Sequence, residues 1–322
     1  MKKYSTKFFF LFFLILILVS LIDLFFGPYP VLKGLITKDG YSLQILLYFR
    51  LPSLLLAFSS GILLSLSGAI FQSILSNPLA DPYILGISGG AASFILISNL
   101  FKIPQEFPYS FFAAFFGACF NGFLVYFLSL KKGKLLSNRL LITGIILNGF
   151  YSAIILFSMA LLDTLELNRF IYWMMGSFSE RTLRESILLF AITLFLFIPS
   201  ILFYRGLDLL SLGNDEASST GLETDNFILF SYLMGSLLSA LSVSFVGIIG
   251  FVGLIVPNLV RIFIGSQHRV LLPSSAVLGA LFLISSDLIT KFKIFQNVPV
   301  GALSALLGVP FFIYLMRKNG TP

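Results

Sequence analysis

Side chains able to do acid–base, nucleophilic or metal chemistry are sparse in this sequence and poorly placed for it. There is one histidine, His268, and one cysteine, Cys119. His268 lies beside Arg269 in a polar turn, with no second histidine or cysteine near it in sequence, so it lacks the ligand set a metal needs. Cys119 sits in an apolar stretch and reads as a small packing residue. No paired carboxylates, zinc spacing or nucleophile–base pair marks a catalytic centre. No G-x-x-x-x-G-K-[ST] phosphate loop occurs either. What remains is a handful of charged and amide side chains set in or beside apolar stretches, where ionisable groups are functional candidates by default. Asp287 precedes Lys291 by four residues, the favourable order for an ion pair along a helix. Asp23 falls at the end of an apolar run, within reach of headgroups. Gln72, Asn121 and Asn148 read as interhelical hydrogen-bonding groups, each contributing ~0.6 kcal/mol or a little more. Trp173 fits an interfacial anchor.

The elements that must carry these residues are membrane helices. The chain is 57% hydrophobic and 11% charged, with mean hydropathy +0.99; soluble domains average about 25% charged residues. The 322 residues leave room for about ten crossings of roughly 20 residues each. The expected fold class is therefore all-α: a polytopic membrane protein organised as one transmembrane domain over residues 1–322. Apolar windows fall at residues 8–26, 51–74, 83–100, 109–130, 140–162, 187–204, 227–264, 273–290 and 299–316. The window at 227–264 is too long for one crossing, and Gly247, Gly250, Gly253 and Pro257 divide it after Phe245. The stretch at 8–26 is longer than a signal-peptide core and lacks a cleavage site, so it reads as the first spanning helix. The net charge of +7 is spread over loops and shows no basic patch with interleaved aromatics, which excludes a nucleic-acid partner.

The most informative stretch runs from Arg50 to Ala92. Leu51 to Ile74 is uncharged and rich in small residues, which let helix backbones approach closely in lipid. Asn77-Pro78-Leu79-Ala80-Asp81-Pro82 then breaks the helix twice, and Gly86 opens a second apolar helix. This hairpin with a polar elbow resembles the membrane permeases of FecCD/BtuC-type ABC importers, which take up iron–siderophores, haem or cobalamin. Gly250, Gly253 and Pro257, followed by Asn258 where many members have histidine, match that family's second hallmark. The resemblance extends over nearly the whole chain from Arg50.

The hydrophilic loop at residues 205–226 reads as a short helix capped by Asn214, with Asp215 and Glu216 in its first turn and Gly221 as its stop. The resemblance implies that it is the coupling loop that seats in the ATPase, through Leu212, Ala217 and Leu222 by apolar contact and Asp215 and Glu216 by polar contact. It further implies that Ser137 and Asn138 occupy the cytoplasmic gate. Arg50 and Lys291 match positions that face the substrate-binding protein; Lys293 is a possible substitute, since Ser53 stands where some relatives carry a second arginine. The competing reading of these cations is headgroup anchoring. Trp173 falls where the family has a short external helix.

The family implies a homodimer in the lipid bilayer, two ATP-binding subunits inside and a substrate-binding protein outside. ATP and Mg are expected on the partner subunit, with no cofactor or metal on this chain, which is then not an enzyme. Iron–siderophore is the family's commonest cargo, with cobalamin or haem as alternatives. Both termini and Lys131, Lys132 and Lys134 are expected in the cytoplasm, as positive-inside bias prefers, in a bacterial inner or cytoplasmic membrane. An ion-coupled secondary transporter is the rival class, and the absence of a mid-helix carboxylate counts against it.

Overall fold

In a computed structural model, which describes residues 2–26, 31–36, 40–131, 134–292, 294–295 and 298–318, the chain is nearly all helical. Besides a short helix at Val31–Ile36, the helices are α1 (Lys2–Phe25), α2 (Gly40–Ile74), α3 (Ile87–Leu100), α4 (Tyr109–Ser129), α5 (Ser137–Met159), α6 (Thr164–Met174), α7 (Leu183–Leu202), α8 (Tyr204–Leu210), α9 (Asn214–Ser219), α10 (Thr224–Val246), α11 (Val252–Phe263), α12 (His268–Thr290) and α13 (Val300–Lys318). Seven of these are long and apolar enough to cross a membrane, and α3, α11 and the Val300–Pro310 part of α13 are shorter apolar helices. The expected windows are recovered, with two adjustments. Helix α2 begins eleven residues before Leu51, passing through a π-helical turn at Leu46–Arg50. Helix α3 begins only at Ile87, because Pro82–Leu85 forms a separate 3-10 turn.

Burial ranks the spans. Helix α2 is 83% buried across its apolar window while α1 is 11% buried, so α2 is the central post and α1 lies on the perimeter. The post is crowded by backbone rather than side chains. A methyl on Gly61 would lie 2.3 Å from the Gly279 carbonyl oxygen of α12, and one on Gly68 would lie 2.0 Å from that of Gly253 at the start of α11. These crossings need glycine, since packing in lipid rewards close backbone approach where no hydrophobic drive between helices exists. Ser67 adds a bond to the Gly235 carbonyl of α10 at 2.6 Å.

Two breaks interrupt the bundle. At the first, Asp81 accepts a bond from the Tyr83 N–H at 2.9 Å, and Gly86 turns the chain through φ +85°, a left-handed conformation open to glycine at no steric cost. At the second, residues 247–251 run without helix before α11. Arg181 closes the last turn of α10 there, its Nε donating to the Phe245 carbonyl at 2.9 Å. Burial lowers the pKa of this guanidinium, and Glu185 and Glu180 offset part of that.

Candidate functional site

The elbow presents a row of backbone carbonyls, and amide side chains from four helices donate to them. Asn121 donates to Leu85 O at 2.8 Å, and Asn148 to Tyr83 O and Ile84 O at 2.9 and 3.0 Å. Gln72 reaches Ala80 O at 3.3 Å and Gly253 O and Leu254 O at 3.1 Å, and Asn258 reaches Pro78 O at 2.8 Å. Arg261 in turn holds the Gln72 and Asn258 side-chain oxygens. Gln72 makes the expected helix-to-helix bond, from α2 to α11, while Asn121 and Asn148 serve the elbow rather than a neighbouring helix. Non-helical backbone at membrane depth persists only when its polar groups are satisfied inside the protein. This binds the two sequence hallmarks, Asn77–Pro82 with Gly86 and Gly250–Pro257, into one polar junction. Ser137, at the start of α5, donates to Ile74 O at the end of α2 at 2.7 Å, and its neighbour Asn138 is exposed.

At the end of the bundle where α2 finishes, α8 and α9 form a compact bracket. Helix α9 ends where Gly221 adopts φ +90° and the Leu222 N–H donates to Ala217 O, the left-handed closure expected there. Three expectations need correction. The residue capping α9 is Gly213 at φ +121°, not Asn214, which is already helical. Ala217 is fully buried, so its apolar contact is made inside the chain. His268 is not in a surface turn; it is 3% exposed and opens α12. Its ring joins Asp208 of α8 through Nδ1 at 2.7 Å and Ser73 of α2 through Nε2 at 2.6 Å. Leu212, Asp215 and Glu216 are exposed on the bracket, while Leu222 is half-buried.

The opposite end holds a cavity of about 650 Å³ lined by Arg50, Ser53, Tyr172, Glu180, Asp287 and Lys291 among others. Lys291 Nζ is bonded to Asp23 at 2.7 Å and to Asp287 at 2.8 Å, and Ser53 donates to Asp287 at 2.7 Å. The helical pair of Asp287 and Lys291 is present as expected. Asp23 is the correction: it is fully buried rather than at the headgroups, because Lys291 supplies the countercharge that burial demands. Lys291 is thus enclosed between two carboxylates, and Arg50, itself 6% exposed, opens onto the cavity. Lys293 lies outside the described residues. Asp208, Ser73 and Arg181 were missed in the sequence; their partners lie 60 residues or more away, and no local pattern marks them.

Comparison with known proteins agrees with this architecture. The FecCD transport family matches residues 10–318. The vitamin B12 import system permease BtuC of Vibrio cholerae is 36% identical over 282 residues, covering 86% of this chain and 83% of that protein. The hemin transport permease HmuU of Yersinia pestis is 36% identical, covering 86% and 84%. The Fe(3+)-citrate import permease YfmD of Bacillus subtilis is 33% identical, covering 89% and 86%. A solved ABC transporter of metal-chelate type, in an inward-facing conformation, superposes with a TM-score of 0.85 at 30% identity, covering 98% of this chain and 99% of that one. A hairpin post, a satisfied polar elbow and a family match from end to end make this chain a membrane-spanning ABC importer permease of the FecCD transport family.

Proposed function

We propose that the chain carries iron–siderophore complexes across the membrane as a homodimer, with two ATP-binding subunits on the cytoplasmic face and a substrate-binding protein outside. The observation that carries the importer reading is the family match over residues 10–318, which takes in both the bracket and the opposite cavity. The bracket end is assigned to the cytoplasm together with both termini. ATP closes the ATPase dimer, and its movement enters through Leu212, Asn214, Asp215, Glu216, Gly221 and Leu222. The exposure of Leu212 and of the two carboxylates supports that role. ATP and Mg belong to the partner subunit. Arg50 is the docking cation for the binding protein, with Lys291 holding the wall beside it. Ser137 and Asn138 form the cytoplasmic gate, at the end of α5 tied to α2. The relatives named for hemin, vitamin B12 and ferric citrate support a bulky chelate as cargo; cobalamin or haem would use the same mechanism.

The test is uptake into proteoliposomes holding the permease, its ATPase and its binding protein. Radio-iron ferric hydroxamate, hemin and cyanocobalamin are offered in parallel. ATP-dependent accumulation of the hydroxamate is expected. Accumulation of hemin or cobalamin alone transfers the cargo to that class. Uptake driven by a proton or sodium gradient without ATP overturns the importer reading in favour of an ion-coupled transporter.

A further inference from the structure

The chain's only histidine stands where three elements meet, and its bonds leave little freedom. Asp208 Oδ1 accepts from the His268 backbone N–H at 2.8 Å and from Nδ1 at 2.7 Å. A carboxylate only accepts, so Nδ1 carries a proton. The Nε2 atom shares a 2.6 Å bond with Ser73 Oγ, in the last turn of α2. Helix α12 has no side-chain cap from its own Gln267. Asp208 supplies one from α8, filling the acceptor role that a helix start requires. One ring therefore fastens the bracket, the start of α12 and the end of α2 together.

The two helices it fastens are also packed closely along their lengths. Their backbones touch at Gly61 and Gly279, where even a methyl would meet the facing carbonyl at 2.3 Å. At their far ends Ser53 of α2 donates to Asp287 of α12 at 2.7 Å, and Asp287 and Lys291 line the 650 Å³ cavity. The pair is pinned by polar bonds at both ends and by backbone contact between them. We propose that α2 and α12 act as one rigid lever and that His268 is the positioning residue that passes movement of the bracket into it, so that displacement at Asp208 reaches the wall of the Arg50 cavity. This inference rests on the importer reading. A packed core with discrete contacts transmits such shifts because it does not deform continuously.

The experiment compares transport with ATP hydrolysed, using full-length permease assembled with its ATPase and binding protein in liposomes. The probe is whichever of ferric hydroxamate, hemin or cyanocobalamin the wild type accumulates. In His268→Ala the ATPase subunits stay bound and hydrolysing, and transport per ATP falls about five-fold or more, within the range for residues that couple distant sites. Ser73→Ala, which removes one hydroxyl, shifts the ratio in the same direction by less. His268→Asn, which keeps a donor for Asp208, recovers part of the loss. The His268→Ala, Asp208→Ala double variant loses less than the sum of the two single changes, because both break the ring's bond to Asp208. If His268→Ala fails to fold, Ser73→Ala and His268→Asn decide the matter. An unchanged ratio in the folded variants overturns the proposal. So does loss of ATPase binding in step with transport, which would make the ring only part of a docking seat. A wild type that shows no ATP-driven uptake fails the importer reading itself, whereas a coupled wild type with equally coupled variants fails the lever alone.

Discussion

Lys291 joins elements that are far apart in sequence, because two buried carboxylates depend on its charge. Asp23 comes from α1 and Asp287 from α12, and both are almost wholly buried. Removing one partner from a buried pair leaves an uncompensated charge, a cost of roughly 3–5 kcal/mol. Lys291→Met should therefore lower thermal stability in detergent far more than an exposed lysine change would. Asp23→Asn and Asp287→Asn introduced together with Lys291→Met should restore most of it. Thermal unfolding of the wild type and the two purified variants checks this, and equal stability of Lys291→Met and wild type would mean the cluster is hydrated. The four-residue spacing of Asp287 and Lys291 made half of this cluster legible in the sequence. Asp23 was not, since its partner lies 268 residues away and only folding brings α1 against α12.

At the scale of elements, the elbow explains why polar amides persist inside apolar helices. Amide N–H groups reach the carbonyls of Pro78, Ala80, Tyr83, Ile84 and Leu85, and of these Tyr83 also accepts from the Gly86 N–H at 3.0 Å. Asn148→Leu strips the amide donor from Ile84 O and leaves Tyr83 O with its bond from the Gly86 N–H, whereas Asn121→Leu strips the donor from Leu85 O. A buried group left unpaired costs about 1–3 kcal/mol, more than the ~0.6 kcal/mol average for a bond between membrane helices, whose groups find other partners. Asn121→Leu, at a fully buried site, should be more destabilising than Asn148→Leu at a half-buried one, measured by unfolding in detergent. Equal, negligible losses would show that water reaches the elbow. The break itself was legible, because Pro78, Pro82 and Gly86 each exclude a continuous helix. Its depth was not, because sequence shows where a helix stops but not which side chains come to its end. The bracket is similar: the stop at Gly221 was readable, but the burial of Ala217 and the cap at Gly213 depend on how α9 folds back on α8 and α10. With φ at +90°, Gly221 cannot be proline without rebuilding that turn. Gly221→Pro should leave the spans folded and reduce ATPase assembly in co-purification; full assembly would remove the bracket from the ATPase contact.

At the scale of the whole molecule, the two ends of the bundle can serve their proposed partners in one orientation only. Ile294, 87% exposed, lies near the cavity end and Leu212, 67% exposed, on the bracket. In a Cys119→Ser background, an impermeant thiol reagent added to intact cells should modify Ile294→Cys and spare Leu212→Cys. The reverse pattern would place the bracket outside, where no ATP-binding subunit could reach it.

The same orientation sets what the Arg50 end can contribute to docking. Arg50 and Lys291 both line the cavity and both face Asp23 and Asp287, but Lys291 is bonded to the two carboxylates, which leaves Arg50 as the docking candidate. A single partly exposed ion pair contributes only about 0.2–1 kcal/mol and is screened over roughly 8 Å at physiological salt. Arg50→Ala should then weaken binding-protein association by a few-fold at most. Arg50→Glu should weaken it more, because attraction becomes repulsion at that position in each copy of the permease. The defect should grow as ionic strength falls, while binding of the ATPase at the bracket end stays at the wild-type level. Lys291→Arg, which keeps the charge between Asp23 and Asp287, should leave docking unchanged at every salt concentration. Binding of the partner protein to reconstituted permease, titrated across a salt series, separates these outcomes. Salt-independent affinity in Arg50→Glu, equal to that of the wild type, would return Arg50 to a packing role beside the Asp23–Lys291–Asp287 cluster and leave docking to the exposed loops around the cavity.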